Sequence, residues 1–97
     1  MKLIVTKHAM RRLKERTNEN ELTIIQQTLE WCIKKKKSDC IEYISFETGL
    51  KLRTTQEGDN AYLVTIIDTD SVIKPLNPKA FRETNHSKTF DSIEVAK

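Results

Sequence analysis

The spacing of hydrophobic residues changes once along this chain, and the change divides it into a helical part and a stranded part. Up to about residue 37, apolar positions recur at intervals of three and four, which is the period of an α-helix. From Asp39 onward the interval shortens to two, which is the period of a β-strand. The pattern therefore predicts helices followed by strands.

The first predicted helix runs from Lys7 to Arg16, with Thr6 as its N-cap. Ala9, Met10 and Leu13 fall on one face of this helix and are expected to be buried. A ridge at spacings of four residues, formed by His8, Arg12 and Arg16, borders that apolar face.

The second predicted helix covers "ELTIIQQTLEWCIKKKK", and Asn18 and Glu21 are placed to form a capping box at its start. Its buried face is expected to hold Leu22, Ile25, Leu29 and Cys32. The run Lys34 to Lys37 would then lie at the helix C-terminus, where positive charge complements the helix dipole.

Three strands are predicted at "CIEYISF", "LKLRTTQ" and "AYLVTIIDT", joined by turns at "ETG" and "EGDN". The most apolar, "AYLVTII", is expected to be central, and "SVIKPL" offers a short fourth strand at an edge. On the middle strand, Leu50 and Leu52 should face the helices, with Lys51 and Arg53 on the opposite side.

The predicted fold is α+β, with two N-terminal helices packed on a three- to four-stranded antiparallel β-meander. One domain is expected over residues 1–78, because 97 residues suit a single core. Residues 79–97 form a polar C-terminal tail that either docks on the domain or is loosely ordered.

Charge is distributed unevenly along the chain, although the net formal charge is only +3. Residues 1–37 carry ten Lys/Arg and four Asp/Glu, whereas residues 38–97 carry seven and ten. A basic first third predicts positive potential on one side of the protein and attraction of anionic partners such as nucleic acid, unless the charges merely solvate two helices.

Several classes of protein are disfavoured by the sequence. No apolar run approaches the roughly 18 residues of a membrane span, so a cytoplasmic protein without membrane contact is expected. Cys32 and Cys40 are too few for a disulfide framework, and their spacing from His8 and His86 predicts no metal site. No glycine-rich phosphate loop is present, and no cofactor is predicted.

A resemblance to a known family rests on the run His8-Ala9-x-x-Arg12-x-x-x-Arg16, which precedes a capped second helix. This run resembles the pattern H-A-x-x-R-x-x-x-R-G-I-S of an uncharacterised bacterial and phage family, whose members resemble RelE and BrnT toxins in architecture. The resemblance covers residues 4–75, and Thr17-Asn18-Glu19 replaces Gly-Ile-Ser here. It implies a RelE-like fold, RNA binding, metal-independent RNA cleavage and an antitoxin partner.

Cleavage of RNA by attack of the ribose 2′-hydroxyl needs one group that removes the hydroxyl proton and a second group that protonates the leaving oxygen. It also needs cations around the phosphate. His8 is the predicted catalytic proton carrier, and Arg12 and Arg16 the predicted phosphate binders. Lys51 and Arg53 would extend the basic surface if the helix end and the sheet edge meet. The candidates for the second proton carrier are Glu15, Tyr43, Tyr62 and His86.

These residues can also have purely structural roles, and the protein can have a different function. His8 can hydrogen-bond within its helix, and Arg12 and Arg16 can pair with carboxylates beside the core. Trp31 is expected to be a half-buried packing residue rather than a platform for stacking bases. The alternative function is a non-catalytic phage or mobile-element accessory protein that binds a host protein or a small anionic ligand, which the low net charge favours.

Overall fold

The computed structural model of the protein describes residues 1–16, 21–68 and 84–96. Helices α1 and α2 are Lys7–Arg16 and Glu21–Glu30. The strands β1 to β6 are, in chain order, Lys2–Val5, Ile33–Lys36, Ile41–Ser45, Leu50–Glu57, Asn60–Asp68 and Ser92–Val95. A short 3-10 turn covers Ser87–Thr89.

Within the described residues, the six strands form one mixed sheet in the order β2-β3-β4-β5-β1-β6. Strands β2 to β5 are antiparallel neighbours, but β1 runs parallel to both β5 and β6. The predicted three- to four-stranded antiparallel meander is therefore wrong for the sheet, although the α+β class is right. Strands β1 and β6 have four residues each, which is too short for a period of two to reveal them, and their partners are remote in sequence.

Helix α1 begins where the sequence predicts, at the cap formed by Thr6. The Ala9 amide donates a hydrogen bond to Thr6 Oγ1 at 3.2 Å, and the same hydroxyl donates to the Leu63 carbonyl at 2.8 Å. Ala9 and Leu13 are fully buried, as their spacing predicts. The capping residue therefore fixes both the start of α1 and its position on strand β5.

Helix α2 ends at Glu30, seven residues earlier than the sequence predicts. The Leu29 carbonyl accepts a hydrogen bond from the His86 amide at 2.8 Å, where a continuing helix would use the amide of Ile33. Cys32 exchanges two backbone hydrogen bonds with Thr84, at 3.0 and 3.1 Å. Contacts with a remote segment thus replace the last helical turn.

The lysine run forms an edge strand instead of a helix end. Lys34, Lys35 and Lys36 all lie in β2, antiparallel to β3, so the predicted interaction with a helix dipole is wrong. Lysines are typical of edge strands because their charges oppose pairing with another chain. In the observed register Lys35 lies across from Glu42, but Glu42 pairs with Lys37, Lys51 and Arg53 instead.

The middle of the sheet agrees with the sequence pattern. Leu50 and Leu52 are buried in the core that α1 and α2 cover, while Lys51 and Arg53 alternate with them and point to the opposite face. Gly49 and Gly58, with φ of 72° and 59°, occupy the two predicted turns. The "AYLVTII" strand, β5, lies inside the sheet between β4 and β1.

Residues 84–96 contribute to this same core and sheet. Phe90 is buried, Ile93 packs against the core, and β6 pairs with β1 through Leu3↔Ile93 and Val5↔Val95. The segment "SVIKPL" and the predicted boundary near residue 78 lie outside the described residues, as does the capping residue Asn18. Among the helices that are described, neither has the length and apolar character needed to cross a membrane.

Candidate nucleic-acid interface

The predicted ridge on α1 lies on the exposed side of that helix. His8 and Arg12 are both exposed, and Arg12 Nη1 lies 3.5 Å from Glu15 Oε2. Both side chains of this pair are about half exposed, so water screens their attraction. Arg16 ends α1, and its side chain lies outside the described part of the structure.

Lys51 and Arg53 lie on the other face of the sheet, away from His8 and Arg12. Both cations contact the same carboxylate oxygen, Glu42 Oε2, which lies 3.3 Å from Lys51 Nζ and accepts a hydrogen bond from Arg53 Nε at 3.0 Å. The helix residues and the sheet residues predicted to share one phosphate-binding surface are therefore on opposite sides of the molecule.

Glu42 is the centre of a cluster that the sequence analysis did not identify. Its side chain is fully buried, and Lys37 Nζ lies 2.9 Å from its other oxygen, Oε1. Lys37 and Glu42 therefore form an ion pair, although the geometry at Oε1 is not that of a well-aligned hydrogen bond. Burial raises the pKa of Glu42, but the contacts with Lys37, Arg53 and Lys51 outweigh burial and lower the pKa to about 2.

The charges of Lys51 and Arg53 are therefore engaged within the fold. A phosphate at this face would compete with a carboxylate that is already in place and ionised at neutral pH. The hairpin turn could have revealed the cluster from sequence, because a turn after Ser45 that pairs it with Leu50 places Glu42 opposite Arg53.

A second set of cations lines an open depression between α1 and the edge strand β6. Lys7, Arg11 and Lys14 stand one above the other at intervals of four and three residues, and Met10 and Val95 complete the lining. The depression has a volume of about 380 Å³. We call it the helix groove.

The cations of the helix groove, unlike Lys51 and Arg53, are not paired with a carboxylate of the described residues. Lys7, Arg11 and Lys14 are exposed, and none of them forms an ion pair with a carboxylate in the described residues. Their helical spacing is visible in the sequence. The contribution of Val95 cannot be seen in the sequence, because Val95 reaches α1 only through the pairing of β6 with β1, and these strands are far apart in the sequence.

The candidates for a second proton carrier are dispersed over the fold. Tyr43 is buried, and burial together with nearby Cys32 raises the pKa of its hydroxyl. Tyr62 alternates with buried residues of β5 and faces away from the helices. His86 packs edge-on against Tyr43, with ring centroids 5.8 Å apart, and burial and then Lys34 lower the pKa of His86.

Only one of the four candidates shares a helix with His8, namely Glu15, whose carboxylate contacts Arg12. Sequence positions 8 and 15 are two helical turns apart, which corresponds to roughly 10 Å along the axis. The geometry of α1 thus offers phosphate-binding cations more directly than a paired acid and base.

The pattern on which the predicted family resemblance rests consists of His8, Ala9, Arg12 and Arg16. Ala9 is buried beneath the helix, and the pattern's first two polar positions, His8 and Arg12, are exposed. The described geometry brings these two to the surface beside Lys7 and Arg11 rather than to the sheet face that holds Lys51. Comparison with protein-family models, with curated proteins and with solved structures gives no match to this chain, so the family resemblance stays a prediction.

Proposed function

We propose that the protein binds RNA, and that Lys7, Arg11 and Lys14 of the helix groove contact its phosphates. The observation that carries the proposal is the convergence of these three cations on one open depression without a neutralising carboxylate among its lining residues. Phosphate contacts supply most of the affinity of nucleic-acid-binding proteins, and arginine and lysine are their usual donors. RNA is also the ligand that the resemblance of α1 implies.

The rest of helix α1 carries little negative charge that could offset these cations. His8 and Arg12 occupy the neighbouring strip of α1, while Glu15 is the one acidic residue of this ten-residue helix. A phosphate chain lying along α1 would therefore pass several donors in succession. Met10 and Val95 supply apolar surface at the same place, against which a ribose or a base edge can pack.

Cleavage belongs to the proposal as a second step, with His8 as the proton carrier. The exposure of His8 on the first turn of α1, one residue from Lys7, supports its access to a bound phosphate chain. Among the described residues no ion pair joins His8 to an acid, and Glu15 lies two helical turns away, so binding is the part that the geometry supports best.

The test of binding is a fluorescence anisotropy titration of labelled RNA at several salt concentrations. The triple variant Lys7→Ala, Arg11→Ala, Lys14→Ala is expected to bind weakly and to reduce the slope of log K against log salt by about 2. The matched control, Lys7→Arg, Arg11→Lys, Lys14→Arg, keeps every charge and is expected to bind like the native protein. If the native protein shows no binding at low ionic strength, or the alanine variant binds equally well, the proposal is overturned.

The same preparations test cleavage. RNA incubated with the native protein is compared with RNA incubated with His8→Ala and with the double variant His8→Ala, Arg12→Ala. Loss of cleavage in His8→Ala supports the catalytic assignment. Equal cleavage by all three proteins, or none by the native protein, removes it and leaves RNA binding without chemistry.

A second candidate function, binding of another protein, is favoured by a different surface. A depression of about 430 Å³ lies between α2 and the start of β6, and none of its lining residues is cationic. Leu22 and Ile93 give it apolar walls, and Gln26, Glu30 and Asp91 give it a polar rim. This composition suits a protein partner and not a phosphate chain. Binding that persists at high salt and survives the loss of Lys7, Arg11 and Lys14 would favour this candidate.

A further inference from the structure

Trp31 lies at the junction between α2 and β2 with half of its surface exposed, at 50%. It is the single tryptophan of the chain. The other large aromatic residues of the core, Tyr43 and Phe90, are 2% and 7% exposed and pack edge-on against each other. The exposed indole is therefore separate from the aromatic packing that stabilises the fold.

The strand that follows Trp31 is positively charged on both sides. Lys34 and Lys36 point to the face that carries the helices, and Lys35 points to the opposite face, because side chains alternate along β2. All three are exposed, and none forms an ion pair with a carboxylate in the described residues. Lys37 differs, since its ammonium is held by Glu42.

Among the described residues beside the end of α2 and the start of β2, the segment from Thr84 to His86 carries no acidic side chain. Thr84 forms the bridge to Cys32, and Asn85 and His86 follow. His86 lies close enough to Lys34 for the lysine charge, after burial, to lower the pKa of its imidazole. A row of lysines on an edge strand also opposes the addition of a protein strand, so a non-protein anion suits this edge better.

We propose that Trp31 and the lysines Lys34, Lys35 and Lys36 form a contact surface for single-stranded RNA, separate from the helix groove. A base stacks on the Trp31 indole, and the neighbouring phosphates meet the lysines. An aromatic platform followed by cations is how proteins bind single strands with little sequence preference. The inference rests on the proposed function only in taking RNA as the ligand.

The distances along the chain allow this arrangement. Three residues span at most roughly 11 Å, so the indole of Trp31 and the ammonium of Lys34 are within reach of adjacent nucleotides. Bases in a duplex are already stacked on each other and cannot stack on Trp31 without unpairing. The surface should therefore discriminate single-stranded RNA from duplex RNA, whereas the helix groove, whose charged contacts are all to phosphates, should discriminate much less.

Because Trp31 is the only tryptophan, its fluorescence reports on this surface alone. The native protein is titrated with a single-stranded uridine oligonucleotide, with an RNA duplex and with inorganic polyphosphate at constant ionic strength. The single strand is expected to quench the fluorescence, and the duplex and polyphosphate are expected to leave it nearly unchanged. Equal quenching by polyphosphate would show that charge, not stacking, perturbs the indole, and would overturn the inference.

Affinity provides the second measurement, by anisotropy of the labelled single strand. Trp31→Ala is expected to weaken single-strand binding roughly 5- to 100-fold, the range for loss of one stacked base, and to leave duplex binding unchanged. Trp31→Phe keeps an aromatic face and should retain most of the affinity. The triple variant Lys34→Ala, Lys35→Ala, Lys36→Ala is expected to lower the salt slope with Trp31 in place, so the test does not depend on one substitution.

The proposal for the helix groove and the proposal for the surface at Trp31 can be overturned independently of each other. If RNA binds but neither quenches Trp31 nor loses affinity in Trp31→Ala, this inference is overturned and RNA binding by the helix groove stands. If the variant lacking Lys7, Arg11 and Lys14 still binds and quenches like the native protein, the surface at Trp31 is supported and the helix groove is not. Absence of RNA binding at low salt overturns both.

Discussion

Glu42 and Arg53 face each other across strands β3 and β4, and Arg53 Nε donates a hydrogen bond to Glu42 Oε2 at 3.0 Å. The carboxylate is fully buried, and Lys37 and Lys51 complete its surroundings. A charge can be buried in this way only because opposite charges and hydrogen bonds replace the water that solvated it. The pair therefore organises the sheet face that the helices leave uncovered.

Replacing Glu42 by glutamine is expected to destabilise the protein by about 3 kcal/mol, because three cations would remain together without their carboxylate. The partial exposure of Lys37 and Arg53 to water keeps the loss at the lower end of the range for a broken buried ion pair. Urea unfolding measures it. The control is Glu57→Gln at the exposed end of β4, which should change stability by less than about 0.5 kcal/mol. Equal stability of the two variants would contradict a structural role for Glu42.

The same carboxylate should make stability depend on pH in the acid range. The pKa of Glu42 falls from 4.5 to about 2 on folding, so the unfolded chain binds the proton more readily. The stabilisation is complete above pH 4.5 and is lost as the pH falls toward 2, amounting to about 3 kcal/mol from the shift. Urea unfolding at pH 6, 4 and 2.5 should show the native protein converging on Glu42→Gln. A constant difference between them would argue against the low pKa.

Thr6 is expected to couple helix and sheet stability through its single hydroxyl. Thr6→Ala removes both the acceptor for the Ala9 amide and the donor to the Leu63 carbonyl, and should cost about 1 to 2 kcal/mol. Thr6→Ser keeps the hydroxyl and should cost much less. Thermal unfolding gives the stabilities, and hydrogen exchange at the Ala9 amide reports on the cap itself. Equal losses in the two variants would mean that the methyl group, and not the hydroxyl, matters.

The features that the sequence predicts correctly are those decided by nearby residues. The start of α1 depends on Thr6 and its bond to Ala9, three positions away, and the burial of Ala9 and Leu13 follows from the helical period. The alternation of Leu50 and Leu52 with Lys51 is also local. Propensity and periodicity act at this range, so they are sufficient for these elements.

The features that were missed depend on remote contacts. Nothing between residues 21 and 37 marks Glu30 as the last residue of α2, because the bond that ends the helix comes from the amide of His86. The helix groove needs Val95 beside α1, which follows from the pairing of β6 with β1. The Glu42 cluster depends on contacts of intermediate range, because the register of one hairpin is enough to bring Glu42 opposite Arg53.

The position of β1 between β5 and β6 has a consequence for how the chain reaches its native state. Thr6, which directly follows this strand, bonds to Leu63 57 residues later, and Leu3 lies beside Ile93, a distant residue in the sequence. The long chain segments between β1 and its two partner strands must close into loops before β1 has neighbours. A fold with many contacts between residues far apart in the sequence forms slowly for its size. We expect the hairpins of β3 to β5 to form early and the sheet to be completed last at β1. Until then, the apolar side chains of Leu3 and Val5 remain exposed to other chains, and aggregation competes with folding at that stage.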